Sequence, residues 1–253
     1  MSAEILTHMD VAGRDIAVRS LPGSGPGLFW LGGFKSDMAG TKATYLVEFA
    51  AARGLANVRF DYSGHGISGG AFEDGTISAW LEESLAVFDR MTHGPQVVVG
   101  SSMGGWLALL LARALAARGE AARLKALVLI APAPDFTEEL VWARLPPPFR
   151  DLLLNLGKMV KPSLYGQDGY VITRALIEDG RRHLLLGAPF AVGCPVRILQ
   201  GAHDPDVPWE HAMRLVSCLP EDDVVFSLIK DGDHRLSRPE DLERLTAALE
   251  EFA

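Results

Sequence analysis

The 253-residue chain carries 24 Lys and Arg against 32 Asp and Glu, a net charge of -8 with no basic block, which argues against nucleic acid or an anionic membrane as partner. Hydrophobic residues make up 48% and charged residues 22%, an ordinary globular balance with material for one large core. The two cysteines, Cys194 and Cys218, are too few for a disulfide framework or a zinc site, and no apolar run reaches the ~18 residues that suggest a stable membrane insertion.

Strand and helix patterns then alternate. Arg14 to Leu21 reads as the opening strand and Pro22 to Gly27 as a turn cluster. Leu28 to Leu31 is the next strand, running into Gly32-Gly33-Phe34-Lys35-Ser36-Asp37, with a helix predicted from Thr41 to Arg53. Ala56 to Asp61 is a strand, and Thr76 to Met91 a helix whose Trp80, Leu81, Leu85 and Phe88 are spaced for one apolar face. The β-branched run Val97-Val98-Val99 predicts a buried strand, and Trp106 to Ala117 a helix. Strands follow at Leu124 to Ile130, Val196 to Gln200 and Asp223 to Ile229, and a helix from Pro239 to Phe252 has proline where a first turn tolerates it. The alternation predicts an α/β fold: a mostly parallel central sheet, helices on both faces, and ligands bound beyond the carboxyl ends of the strands.

One stretch interrupts the pattern. Between Pro134 and Pro195 lie Pro146-Pro147-Pro148, the apolar Leu152-Leu153-Leu154, a turn near Gly166-Gln167-Asp168-Gly169 and a helical stretch from Tyr170 to Leu186. Structureless loops longer than ~12–15 residues are uncommon in compact domains. The segment 136–190 is therefore read as a small helical lid inserted into a core domain of residues 1–135 and 191–253. Phe136, Trp142, Phe149, Tyr165, Tyr170 and Phe190 supply it with aromatic surface, mostly for its own packing. Trp142, Phe149 and Tyr170 are the candidates for lining an apolar substrate pocket.

Gly100-Ser101-Ser102-Met103-Gly104 joins the valine strand to its helix in the G-x-S-x-G pattern of a nucleophile elbow. A Cβ at position 100 or 104 would collide with a neighbouring backbone, and the helix N-terminus faces the charge that develops beside Ser102. A serine nucleophile needs a base, and the base an orienting acid. Of the seven histidines, His234 alone follows the last strand. The acid is expected after the Val196 strand, where Asp204 takes the place with Asp206 as competitor. His65, in Asp61-Tyr62-Ser63-Gly64-His65-Gly66, precedes the elbow and is read as shaping a turn near the site. The oxyanion donors are expected to be the amides of Met103 and Phe34, the latter brought close by Gly32-Gly33.

With Phe60-Asp61-Tyr62-Ser63-Gly64, the elbow through Trp106, Cys194-Pro195-Val196-Arg197, Val207-Pro208-Trp209 and Asp233-His234-Arg235 in view, the whole chain resembles the α/β-hydrolase superfamily. In particular it looks like the branch of mitochondrial acyl-protein thioesterases and acyl-glucuronide esterases. The resemblance implies Ser102, Asp204 and His234 as catalytic residues. It departs from the superfamily where many members carry a histidine at the position of Gly32. It also lacks an Arg-rich presequence at Met1 to Leu6, so a cytoplasmic location is expected.

The function expected is a serine esterase or thioesterase that cleaves a small ester or an acylated protein carrying a hydrophobic acyl group, through an acyl-enzyme and without cofactor or metal. Amidases, lactonases and carbon-carbon bond hydrolases use the same three residues, and a binding protein can keep the fold alone. The sequence leaves the oligomeric state open.

Overall fold

The computed structural model describes residues 3–161 and 169–253. Its strands and helices follow in the order β1 (Ile5–Val11), β2 (Arg14–Leu21), β3 (Ser24–Leu31), α1 (Thr41–Arg53), β4 (Leu55–Phe60), α2 (Ile77–Met91), β5 (Gln96–Ser101) and α3 (Met103–Ala117). Then come β6 (Leu124–Ile130), α4 (Pro147–Leu156), β7 (Lys158–Lys161), β8 (Tyr170–Thr173), α5 (Arg174–Gly180), β9 (Val196–Gly201), α6 (Trp209–Ser217), β10 (Val224–Ile229) and α7 (Pro239–Glu250). Eight strands form one sheet in the order β1-β2-β4-β3-β5-β6-β9-β10. The β1/β2 and β2/β4 pairs are antiparallel and the remaining pairs parallel.

Side chains alternate across a strand, and both faces of this sheet are covered. Val98, Phe29 and Leu31 face the layer holding Trp80 and Phe88 of α2 and Trp106 of α3. Val97, Val99, Leu28 and Trp30 face Leu46 and Phe49 of α1 and Leu245 and Leu249 of α7. That two-sided burial explains the uninterrupted valine run. Each fully buried aliphatic or aromatic side chain contributes ~1.5–3 kcal/mol.

Two departures from expectation lie at the periphery. The chain opens with β1, not with the Arg14 strand: β1 is an edge strand whose Ile5 and Leu6 are exposed, and only Met9 and Val11 among its apolar residues turn toward the core. The segment between β6 and β9 is not purely helical. Tyr170-Val171-Ile172-Thr173, expected to begin a helix, instead pairs antiparallel with Lys158–Lys161, as its β-branched and aromatic residues favour. Helix α5 starts only after Thr173, whose side chain accepts from the Leu176 amide as its cap. Tyr165 and the turn expected at Gly166-Gln167-Asp168 lie outside the described residues.

Asp135 closes the base of this segment. Its buried carboxylate accepts the Leu185 amide at 2.8 Å and the Leu186 amide at 2.8 Å, so the chain leaves and rejoins the core at one point. Trp106 in α3 adds a second tie by donating its indole N–H to the His183 carbonyl at 3.1 Å.

Candidate active site

Ser102 stands between β5 and α3 with φ 55° and ψ -118°, a region that costs a side-chain-bearing residue ~1–3 kcal/mol. The surroundings impose it: the Ser102 amide donates to the Ile130 carbonyl at 2.9 Å, and the Ala133 amide to the Ser102 carbonyl at 3.1 Å. Helix α3 begins at Met103, three residues before the expected start, because Gly104 and Gly105 conceal the helical pattern. The glycines are required as expected. A Cβ on Gly104 would stand 2.0 Å from the Leu31 carbonyl of β3, and one on Gly100 would stand 2.4 Å from the Gly104 carbonyl.

His234 follows β10 and Asp204 follows β9, so the sheet brings both to the elbow. His234 Nδ1 lies 2.7 Å from Asp204 Oδ2, and its Nε2 lies 3.1 Å from Ser102 Oγ. The Asp204 side chain is fully buried and accepts three further bonds: Asp206 and Val207 amides to Oδ1 at 2.9 and 2.8 Å, and Gln200 Nε2 to Oδ2 at 3.2 Å. An ionised carboxylate only accepts, so the hydrogen belongs on Nδ1 and the Nε2 lone pair faces the serine hydroxyl. This arrangement can draw a proton from Ser102 as it attacks a carbonyl. The N-cap of the next helix is Pro208, which offers no side-chain bond. Ligand atoms of Asp204, Asp206 and His234 lie within 4.8 Å of one another, a spacing a metal ion also accepts; the Asp204–His234 hydrogen bond accounts for it.

The Gly32–Ser36 loop lies beside the serine, with the Cβ position of Gly33 only 3.4 Å from Ser102 Cβ. Met103 is the first residue of α3, so its N–H has no intrahelical acceptor. Gly33 and the first turn of α3 thus stand against Ser102. Asp61, at the end of β4, braces the loop from below: its buried carboxylate accepts the Met38 amide at 2.6 Å and the Ile67 amide at 2.9 Å. A Cβ on Gly66 would stand 2.0 Å from that carboxylate.

Ser102 and His234 open into a cavity of about 620 Å³. Phe34, Phe136, Leu140, Val141, Tyr170 and Ile172 give its lining apolar surface, and Lys35, Asp37, Thr41, Lys42, Lys161, Arg235 and Ser237 give it polar groups. Of the expected pocket residues, Tyr170 lines this cavity. Trp142 and Phe149 do not. Trp142 instead carries the guanidinium groups of Arg150 and Arg181 at 5.3 and 5.1 Å from its ring centre, and Phe149 is exposed on α4.

Two residues gain a place the sequence reading had not assigned. Phe136 lies tilted at 5.6 Å to Phe34 and edge-on at 5.7 Å to Trp106, and it lines the cavity. Lys42 of α1 donates to the Arg235 carbonyl, next to His234, and burial pushes its ammonium down to about 8. A lysine one residue into a predicted helix offers no sequence signal for that role.

Burial also pushes the His65 ring down to about 4, and lowers His183 and His211 in the same direction. An unfolded histidine takes up its proton near ~6.5, so between there and about 4 the unfolded chain binds more protons at His65 than the folded one. His65 therefore stabilises the fold fully above that range, and the contribution drains away as pH falls, by about 2 kcal/mol at pH 5. The carboxyls of Asp61, Glu83 and Asp135, raised by burial, push the opposite way. Comparison with His65→Gln isolates the term: the melting temperature of the variant should fall less between pH 7 and pH 5 than that of the parent. Equal falls would mean His65 is accessible to protons in the folded state.

Comparison with known proteins extends the picture. The chain is 36% identical to palmitoyl-protein thioesterase ABHD10 of Homo sapiens, covering 94% of this chain and 76% of that one. It superposes on the crystal structure of a hydrolase from Agrobacterium vitis S4, described as putative, with a TM-score of 0.93 and 47% identity, over 100% of this chain and 98% of the other. Mouse alpha/beta hydrolase domain-containing protein 10 superposes with a TM-score of 0.87 at 34% identity, over 98% and 97% of the two chains. The curated relatives are named mitochondrial, which overturns the expectation of a cytoplasmic enzyme. A compartment is set by targeting signals rather than by the folded body, and the free Cys194 and Cys218 suit any reducing compartment. Among the described residues no helix is long and apolar enough to cross a membrane. A serine-bearing elbow on this strand order, in a chain that matches the alpha/beta hydrolase family model over residues 21–245, makes the protein a member of that family and a hydrolase.

Proposed function

We propose that the protein hydrolyses thioesters and carboxylic esters of hydrophobic acyl groups, with Ser102 as nucleophile, His234 as base and Asp204 as the acid that orients it. The reading is carried by the unbroken hydrogen-bond chain from Asp204 through His234 to Ser102 at the floor of the cavity. Ser102 Oγ bonds to the acyl carbon as its proton passes to His234 Nε2, the Phe34 and Met103 amides hold the oxyanion, and His234 returns the proton to the departing thiol or alcohol. Water, deprotonated by the same imidazole, then releases the acid. The acyl chain lies along the apolar part of the lining, beneath the described residues of the 136–190 lid, and the leaving group faces the polar part. Similarity to a palmitoyl-protein thioesterase supports a long acyl chain on sulfur.

Acyl thioesters and p-nitrophenyl esters of graded chain length, with the matching anilides, test bond type and pocket depth together. Turnover should rise from acetyl to longer acyl groups and be far weaker on the anilides. Tyr170→Ala should cost long chains up to ~1–3 kcal/mol of transition-state binding while sparing acetate. Uniform losses across chain lengths would place Tyr170 outside the acyl path.

A further inference from the structure

We propose that His65 is a positioning residue that holds the Phe34 amide aimed at the oxyanion, an inference that rests on Phe34 being the donor. The loop after β3 turns at Lys35, whose φ of 57° puts a side-chain-bearing residue in the left-handed region. Such a residue stays there only when its surroundings hold it. At its backbone the Lys35 amide donates to His65 Nε2 at 3.1 Å, while its ammonium donates to the Gly169 carbonyl at 2.8 Å. Because Phe34 C=O and Lys35 N–H share one peptide plane, the bond to His65 sets the orientation of the unit directly following Phe34. The Ser36 amide closes the turn on the Gly33 carbonyl at 3.1 Å.

The imidazole is prepared for this task. An amide N–H cannot accept, so Nε2 must be the bare nitrogen, and the Ser63 carbonyl at 3.1 Å takes the hydrogen on Nδ1. The ring is wedged among Tyr62, Phe72 and Trp80, with centres 5.5, 5.0 and 5.2 Å away. Ser63 is fixed in turn, its amide donating to the buried Glu83 carboxylate of α2 at 2.9 Å. Tyr62 grips the other end of the loop by donating its hydroxyl to the Gly32 carbonyl at 3.3 Å. One β4–α2 connection thus clasps the Gly32–Lys35 stretch at both ends, where Gly32 itself has no side chain to anchor it.

The test uses two His65 variants of the full chain, assayed on p-nitrophenyl butyrate. His65→Gln sets a non-ionising acceptor near the Nε2 position; His65→Phe fits among the rings but accepts nothing, and His65→Leu replaces it should the phenylalanine variant not fold. We expect the apolar variant to keep its KM within about twofold and lose up to ~100-fold in kcat, as for a misplaced reacting group, while His65→Gln keeps most of its kcat. An apolar variant with the kcat of the parent, or equal kcat losses in the glutamine and apolar variants, overturns the inference. Phe34→Pro removes the donor itself and should cost ~10²–10³-fold in kcat. Unchanged kcat in a folded Phe34→Pro protein sinks the Phe34 reading and the His65 inference with it, whereas a crippled Phe34→Pro beside a fully active apolar variant sinks the His65 inference alone.

Discussion

Ser102→Ala should reduce turnover of every ester and thioester by about 10⁶-fold and abolish labelling by a fluorophosphonate probe. The fold should not notice. The backbone hydrogen bonds that hold position 102 at its positive φ use its own amide and carbonyl, which alanine retains. Among the described residues the lost hydroxyl bonds to His234 at 3.1 Å, so the stability should change by no more than the ~0.5 kcal/mol typical of partly exposed sites. Turnover comparable to the parent would put the nucleophile elsewhere.

Asp204→Asn should cost about 10⁴-fold in kcat, through a tautomer rather than through shape. With the amide oxygen kept toward the Asp206 and Val207 N–H groups, the NH₂ replaces Oδ2, where it meets two donors, Gln200 Nε2 and His234 Nδ1–H. The imidazole relieves the clash by carrying its hydrogen on Nε2. That nitrogen then faces Ser102 without a lone pair to receive its proton. Asp206→Asn leaves the Asp204 Oδ2 acceptor of His234 in place and should stay within about tenfold of the parent, the usual reach of a neighbouring charge. The two variants should be compared for turnover and melting temperature side by side. Activity lost in folded Asp206→Asn and kept in Asp204→Asn would exchange the two assignments.

What could be read in the chain and what could not divide along burial. Val97, Val98 and Val99 announce β5 because the sheet buries both of its faces, and Thr41–Arg53 announces α1 because Leu46, Phe49 and Ala50 must meet the core while Gly54 ends it in a left-handed conformation. The elbow and the histidine after the last strand were legible for a related reason: parallel strands place their carboxyl ends at one edge, so order along the chain becomes nearness in space. The β7–β8 ribbon was missed because each strand is only four residues long, too short for an alternation to stand out although Met159 and Ile172 reach the core. Trp142 misled because an indole looks the same in sequence whether it faces a substrate or two guanidinium groups. His65 was visible as an odd residue between glycines, but its partner, the Lys35 amide, is backbone and leaves no mark on the sequence.

The clasp of Asp135 on the Leu185 and Leu186 amides has a meaning for how this enzyme can diversify. A segment that departs and returns through one point adds little closure entropy to the core, because its ends are already joined there. Ser102, Asp204 and His234 hang from β5, β9 and β10, outside the excursion. The described residues between Asp135 and Leu185 thus share one neck, and on the proposed reading an insert exchanged there would alter what meets the acyl chain while β5, β9 and β10 keep Ser102, Asp204 and His234 in place.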